Sequence, residues 1–174
     1  RSAFAGDPDG VAVWGIKISL DRTTGSLRPC LEELVETRGM AHSKGWPVAI
    51  HAVEEETLAA ALDAFEAVLG TGRRPAEPIH RIEHGSVCPP YLVRRIAALG
   101  ITVATQPSFV HYHGSRYLAS VPQAQQPYLY PLASWLRSGI QVAGSSDCPL
   151  VPPSPIMGIP AAVTRRSKDG DVLS

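Results

Sequence analysis

Two kinds of segment alternate along this chain, and the alternation limits its possible folds more than any other feature. Short apolar runs rich in β-branched residues are typical of buried parallel strands, and they occur at 11–20, 47–51, 79–84, 101–105 and 140–144. Segments with helical periodicity lie between or after them, at 31–43, 55–69, 89–99, 132–138 and 155–166. A strand–helix unit repeating every roughly 30–40 residues predicts βαβ units with right-handed crossovers.

Length, charge and cysteine pattern further restrict the class of protein to which this chain can belong. The 174 residues carry 16 basic and 16 acidic side chains, and 44% of them are hydrophobic, so we expect one α/β domain over residues 1–174. The zero net charge predicts neither a nucleic-acid nor a membrane partner, and no apolar stretch is long enough to span a bilayer. The three cysteines are odd in number and form no C-x-x-C pair, so we expect reduced thiols, no disulfides and a cytoplasmic protein.

Ionisable residues recur at equivalent places in the predicted strands. His51 and His84 end their strands, Asp147 follows the last strand, and Lys17 lies within the first. Each alone has an ordinary explanation, such as a rim histidine, a helix N-cap or a lysine that reaches solvent. Together they would meet at one rim, because the carboxyl ends of parallel barrel strands lie on the same side. Two imidazoles and a carboxylate suit Zn2+ or a similar divalent ion.

The polar segment 106–126 is too long for a simple connection, so we predict a lid or substrate-binding loop there. Its candidate substrate-binding residues are Gln106, Ser108, His111 and His113, with the residues up to Tyr117 shaping the pocket. On an extended segment His111 and His113 would share a face. They could then add metal ligands if the loop folded over the rim; the alternative is a substrate-side or surface loop.

Four further positions have expected roles outside the metal site. His80 is expected to pack in the interior, and Glu83 is expected to point outward towards the helices, without a chemical role. Arg165 and Arg166 are expected to be structural.

Seven stretches spread over nearly the whole sequence form a recognisable series: Gly15-Ile16-Lys17-Ile18, Val48-Ala49-Ile50-His51-Ala52, Leu62-Asp63-Ala64-Phe65-Glu66, His80-Arg81-Ile82-Glu83-His84, Thr105-Gln106-Pro107-Ser108-Phe109, Gly144-Ser145-Ser146-Asp147-Cys148-Pro149 and the run from Gly158 to Arg166. In these stretches and in their order the chain resembles the amidohydrolase superfamily, and specifically amidohydrolase family 3.

The resemblance implies that the visible strands are the fourth to eighth of a (β/α)8 TIM barrel. Lys17 would be carboxylated by CO2, His51 and His84 would be metal ligands, and Asp147 would be both ligand and general base. The cofactor would be one or two divalent ions, with Zn2+ expected. The implied activity is cleavage of an amide or related non-peptide C–N bond in a small molecule by metal-activated water.

This sequence also departs from the family pattern. No strand with the family's His-x-His pair precedes Lys17, so we expect this stretch alone to be inactive. A non-catalytic truncated barrel and a heterocycle deaminase remain alternatives. A five-stranded arc also has two open edges. We therefore expect either a longer chain or a sheet completed by self-association or by another domain.

Overall fold

The predicted strands form one parallel sheet in the computed structural model, which describes residues 14–69 and 79–173. The strands are β1 (Ile16–Ser19), β2 (Val48–Ala52), β3 (Arg81–His84), β4 (Thr102–Thr105) and β5 (Val142–Gly144), and they pair in sequence order. This order, with helices between the strands, confirms the predicted α/β fold and is that of a partial TIM barrel. Residues 11–13 of the first predicted strand lie outside the described residues.

Six α-helices accompany the sheet in the described residues. They are α1 (Leu31–Ser43), α2 (Glu55–Leu69), α3 (Pro90–Leu99), α4 (Pro107–Ser120), α5 (Leu132–Arg137) and α6 (Pro155–Thr164), with a short 3-10 helix at Gln126–Tyr128. The five helices predicted from periodicity are confirmed to within two residues at each end. None of the described helices has the length and apolarity needed to cross a membrane.

The two faces of the sheet have different chemistry. Strand register aligns Ile18, Ile50, Ile82 and Val103 in one row, and all four are buried against the helices. The apolar stripe of α2, which includes Phe65, packs in the same core. Because side chains alternate along a strand, residues at the positions between these point to the opposite face. This second face, called the inner face below, carries the polar residues of the site.

The predicted loop at 106–126 is wrong, because most of it is helix α4. Pro107 occupies the first turn, where its missing N–H costs nothing. The helix packs against α6 and the C-terminal turn, and Gly114 is buried there beside Ser167 and Leu173. Tertiary packing therefore stabilises a helix whose own apolar stripe is weak.

Arg165 has the structural role expected from the sequence. Its guanidinium donates hydrogen bonds to the backbone carbonyls of Leu129 (2.7 Å), Tyr130 (2.9 Å) and Leu173 (2.9 Å). These bonds tie the end of α6 to the segment before α5 and to the C-terminal turn.

Candidate metal centre

The imidazole rings of His51 and His84 lie edge to face, with their centroids 4.3 Å apart. His51 is on the inner face, but strand alternation alone would send His84 towards the helices with Ile82. A positive φ of 73° at His84, followed by Gly85 at 61°, changes the direction of the chain there. Such backbone conformations are unfavourable outside glycine and concentrate at functional sites. The change of chain direction at the end of β3 therefore occurs at the residue whose ring contacts His51.

The surroundings of both histidines favour the neutral imidazole over the protonated ring. Burial lowers the pKa of His51, and the neighbouring His84 and Lys17 lower it further. Burial likewise lowers the pKa of His84, although its hydrogen bond with Gln106 opposes this change. A neutral imidazole keeps one nitrogen lone pair, which is the form that binds a metal ion.

Lys17 and Asp147 lie within electrostatic range of the two histidines. Lys17 is exposed on the inner face; partial burial lowers its pKa, while the carboxylates of Glu83 and Asp147 raise it. Asp147 is exposed in the loop after β5, with a φ of 55°, and its charge raises the pKa of both histidines. His51, His84 and Asp147 thus lie at or after the carboxyl ends of their strands, and Lys17 lies earlier, as the second residue of β1.

The described residues nevertheless do not form a complete metal-binding group. In residues 14–69 and 79–173, no three His, Cys, Asp or Glu side chains come close enough together to hold a metal ion. The structure brings the two histidines into contact and leaves Asp147 outside a compact donor group.

The prediction that Glu83 points outward is wrong. Glu83 pairs in register with His51, so it lies on the inner face, and its side chain is only 12% exposed. The Arg81 guanidinium donates a hydrogen bond to its carboxylate. The error came from counting by twos back from His84, whose backbone does not follow regular strand geometry. Only the register between β2 and β3, which the structure supplies, places Glu83 on the inner face.

Gln106 and Ser108 are both buried close to the histidine pair or to a neighbouring cavity. Gln106 is 1% exposed; its Oε1 lies 2.7 Å from His84 Nδ1, and its Nε2 donates to Ser145 Oγ at 3.0 Å. Ser108, 2% exposed, has a hydroxyl with no hydrogen-bond partner among the described residues.

His111 and His113 do not share a face, contrary to the prediction, because they lie on helix α4. Two positions on a helix are about 200° apart, whereas on a strand they align. The His113 ring packs against Phe109 and Tyr117, and the His111 ring packs against Tyr112. Neither histidine is paired with His51 or His84 in the described contacts.

A cavity of about 290 Å³ lies between the start of α4, the loop after β5 and α6. Pro107, Ser108, Ser145 and Ala162 are among its lining residues, and none of the lining residues is charged. Ser145 links it to the Gln106–His84 hydrogen bonds. An apolar pocket with a few polar atoms is the usual form of a small-molecule site.

The residues fit a divalent ion by the chemistry of their donors. His51 and His84 are neighbouring imidazoles, and each neutral ring offers one nitrogen lone pair to a metal ion. With a carboxylate such as Asp147, this set suits Zn2+ or a similar borderline ion. Lys17 as an ammonium cannot coordinate a metal, and would do so only as a carbamate.

These features define a partial (β/α) barrel whose histidine pair lies at the carboxyl ends of the strands, where barrels of this type have their active sites. A model described as the amidohydrolase family matches residues 9–174, which is nearly the whole chain. The chain belongs to the amidohydrolase family, as the resemblance of its motifs predicted.

Similarity to individual proteins agrees with this family membership. The chain is 28% identical over 170 residues to a Bacillus subtilis (strain 168) protein named "Putative amidohydrolase YtcJ", covering 96% of this chain and 29% of that protein. Two solved structures superpose on it, each titled as an uncharacterized metal-dependent hydrolase. That from Pyrococcus furiosus is 25% identical with a TM-score of 0.73, covering 89% of this chain and 35% of that one. The structure from Pyrococcus horikoshii OT3 is 24% identical, with a TM-score of 0.75. The match covers 90% of this chain and 34% of that one, and it shows a shared fold.

Proposed function

We propose that the protein is a metal-dependent hydrolase that cleaves an amide or related C–N bond of a small molecule. The observation that carries the proposal is the His51–His84 pair, neutral and in contact at the carboxyl ends of β2 and β3. Family membership and the titles of the similar structures support the hydrolase class. The chain spans about a third or less of these relatives, so the activity is proposed for the protein as a whole.

The roles follow from the chemistry of each side chain. A bound divalent ion, with Zn2+ the expected one, would supply Lewis-acid polarisation of the substrate carbonyl. His51 and His84 would hold the ion through their free ring nitrogens. Asp147 would take a proton from the attacking water and pass it to the leaving amine, which requires a carboxylate in the exposed loop beside the histidines.

Lys17 is proposed as the carboxylated lysine that the family resemblance implies. The ammonium would first lose a proton, and the neutral amine would then attack CO2 and lose a second proton to form a carbamate, so that a cationic side chain becomes an anionic one. Its place on the inner face, in electrostatic contact with Asp147, supports this assignment because the anion would then face the bound ion. Mass spectrometry of the undenatured protein would detect the added CO2.

The uncharged cavity beside Ser145 is proposed to hold the part of the substrate next to the scissile bond. A charged group buried there would lack a partner, which is costly, so an apolar acyl or amine substituent is the expected occupant.

The test compares Asp147→Asn with Asp171→Asn, an exposed aspartate in the C-terminal turn. Loss of a general base typically costs about 10²–10⁴-fold in rate, so kcat for N-acyl amides should fall by that factor in the first variant only. Metal analysis of the full chain should also find a bound divalent ion. Absence of that ion, together with unchanged activity of Asp147→Asn, would remove the metal-dependent mechanism with Asp147 as its base, and absence of amide hydrolysis by the wild type would remove the hydrolase assignment. Faster turnover of purines or pyrimidines than of amides would instead indicate a deaminase.

A non-catalytic barrel segment is the second candidate, favoured by the lack of a three-member donor group in the described residues. It predicts that the 174-residue chain binds Zn2+ only weakly, which a chelator competition titration would measure.

A further inference from the structure

The hydrogen-bonded chain His84–Gln106–Ser145 joins the ends of three neighbouring strands. His84 ends β3, Gln106 follows β4, and Ser145 follows β5. The two bonds measure 2.7 Å and 3.0 Å, and Gln106 is 1% exposed, so the bond between His84 and Gln106 is shielded from water, whereas Ser145 is exposed. This burial also separates Gln106 from the cavity, whose lining includes Ser145 but not Gln106.

We propose that Gln106 is a positioning residue that fixes the tautomer of His84, rather than a group that contacts substrate. The inference rests on the proposed metal site and deepens it. The amide oxygen Oε1 can only accept, so the short contact requires a proton on His84 Nδ1. The other ring nitrogen, Nε2, is then left with its lone pair.

Ser145 bonds to the other end of the Gln106 amide. In the structure the Gln106 NH2 donates to Ser145 Oγ, and Oε1 faces His84 Nδ1. Because a serine hydroxyl can donate as well as accept, the tautomer of His84 is the measurement that distinguishes this amide orientation from the rotated one. Hydrogen bonds of this kind behind a metal-binding histidine typically change metal affinity by about 10–100-fold.

His80 provides an internal reference with the opposite tautomer. The backbone N–H of Val48 donates to His80 Nδ1 at 3.1 Å, so that nitrogen carries no proton, and the neutral ring must be protonated at Nε2. His80 directly precedes β3, the strand that ends at His84. One spectrum of the histidine-labelled chain reports the tautomers of both rings.

The experiment records two-bond ¹H–¹⁵N correlations of the full chain, labelled at histidine and stripped of metal with a chelator. The expected spectrum shows His84 protonated at Nδ1 and His80 protonated at Nε2. Gln106→Leu, which keeps a similar volume without the amide, should make His84 lose its single tautomer and leave His80 unchanged. Gln106→Glu, which still presents an acceptor, should restore protonation at Nδ1.

A Zn2+ competition titration on the same variants supplies the second measurement. Affinity should fall about 10–100-fold in Gln106→Leu and recover in Gln106→Glu. Gln141→Leu is the control, because this exposed glutamine is hydrogen-bonded to Thr102 and not to His84. Affinity in the control should stay at the wild-type value.

Two results would overturn the inference: wild-type His84 protonated at Nε2, or an unchanged His84 tautomer in Gln106→Leu. If the wild-type chain shows the expected tautomers but binds no Zn2+, the proposed function fails while the role of Gln106 in fixing the ring stands.

Discussion

His80 shows how the environment of one residue can make the whole fold sensitive to acid. It is 5% exposed, and its Nε2 is 3.2 Å from His42 Nδ1 while its Nδ1 accepts from Val48. Burial, followed by the charges of Arg38 and His42, lowers the pKa of His80 to about 3. Protonating the ring would break the bond from Val48 and place a cation beside the Arg38 guanidinium.

We therefore predict that His80 destabilises the fold in mild acid. Below about pH 6.5 the unfolded chain binds a proton at this histidine and the folded chain does not, until the pH approaches about 3. The free energy of unfolding should fall by up to about 1.4 kcal/mol per pH unit across this window from this residue alone. Urea unfolding at several pH values measures it.

His80→Gln isolates this effect, because the amide keeps an acceptor for the Val48 N–H but does not titrate. Its stability should depend less on pH than that of the wild type. His111→Gln, a change at a partly exposed histidine of α4, should retain the wild-type dependence. Equal pH dependence in all three proteins would contradict the assignment.

At the scale of elements, two helical glycines have opposite surroundings. A Cβ at Gly114 of α4 would lie 2.9 Å from both Leu173 Cδ1 and Ser167 Cβ. A Cβ at Gly39 of α1 would have its nearest neighbour, a methyl of Val68, at 3.8 Å. The first glycine permits close packing, and the second is only a poor helix former.

Gly114→Ala should therefore destabilise the protein by about 1–3 kcal/mol, the usual cost of overpacking. Gly39→Ala should stabilise it by about 0.5–1 kcal/mol, because alanine loses less backbone entropy in a helix. Urea midpoints of the two variants test the pair. Stabilisation by Gly114→Ala would mean that α4 does not pack as described.

At the scale of the whole molecule, the described sheet ends at β1 and β5, each of which pairs with a neighbouring strand on one side only. Helix α6, which borders the same cavity as the end of β5, exposes Ile156 (73%), Ile159 (64%) and Val163 (78%). Open strand edges beside exposed apolar side chains favour association.

A polypeptide of these 174 residues should consequently self-associate in light scattering after size exclusion. Ile156→Lys combined with Val163→Lys should lower the associated mass. Met40→Lys, at an exposed apolar position of α1, should not. A monodisperse monomer of the unmodified chain would contradict the expectation.

The sequence was sufficient for features that depend on local pattern. The strands were predicted because buried parallel strands are continuously apolar, and α3 because prolines begin it and Gly100, in the left-handed conformation, ends it. Helix α4 was missed although Pro107 marked its start, because its histidines, tyrosines and Gly114 hide the apolar period.

By itself, the sequence indicated Lys17, His51, His84 and Asp147 as candidates for a metal site, since His51 and His84 end predicted strands and Asp147 follows the last one. The tertiary structure decided how they are presented. The positive φ at His84, the inward direction of Glu83 and the bond from His84 to Gln106 each depend on neighbouring strands. Side-chain periodicity is a local property, whereas ring orientation and hydrogen-bond partners arise only when distant segments pack together.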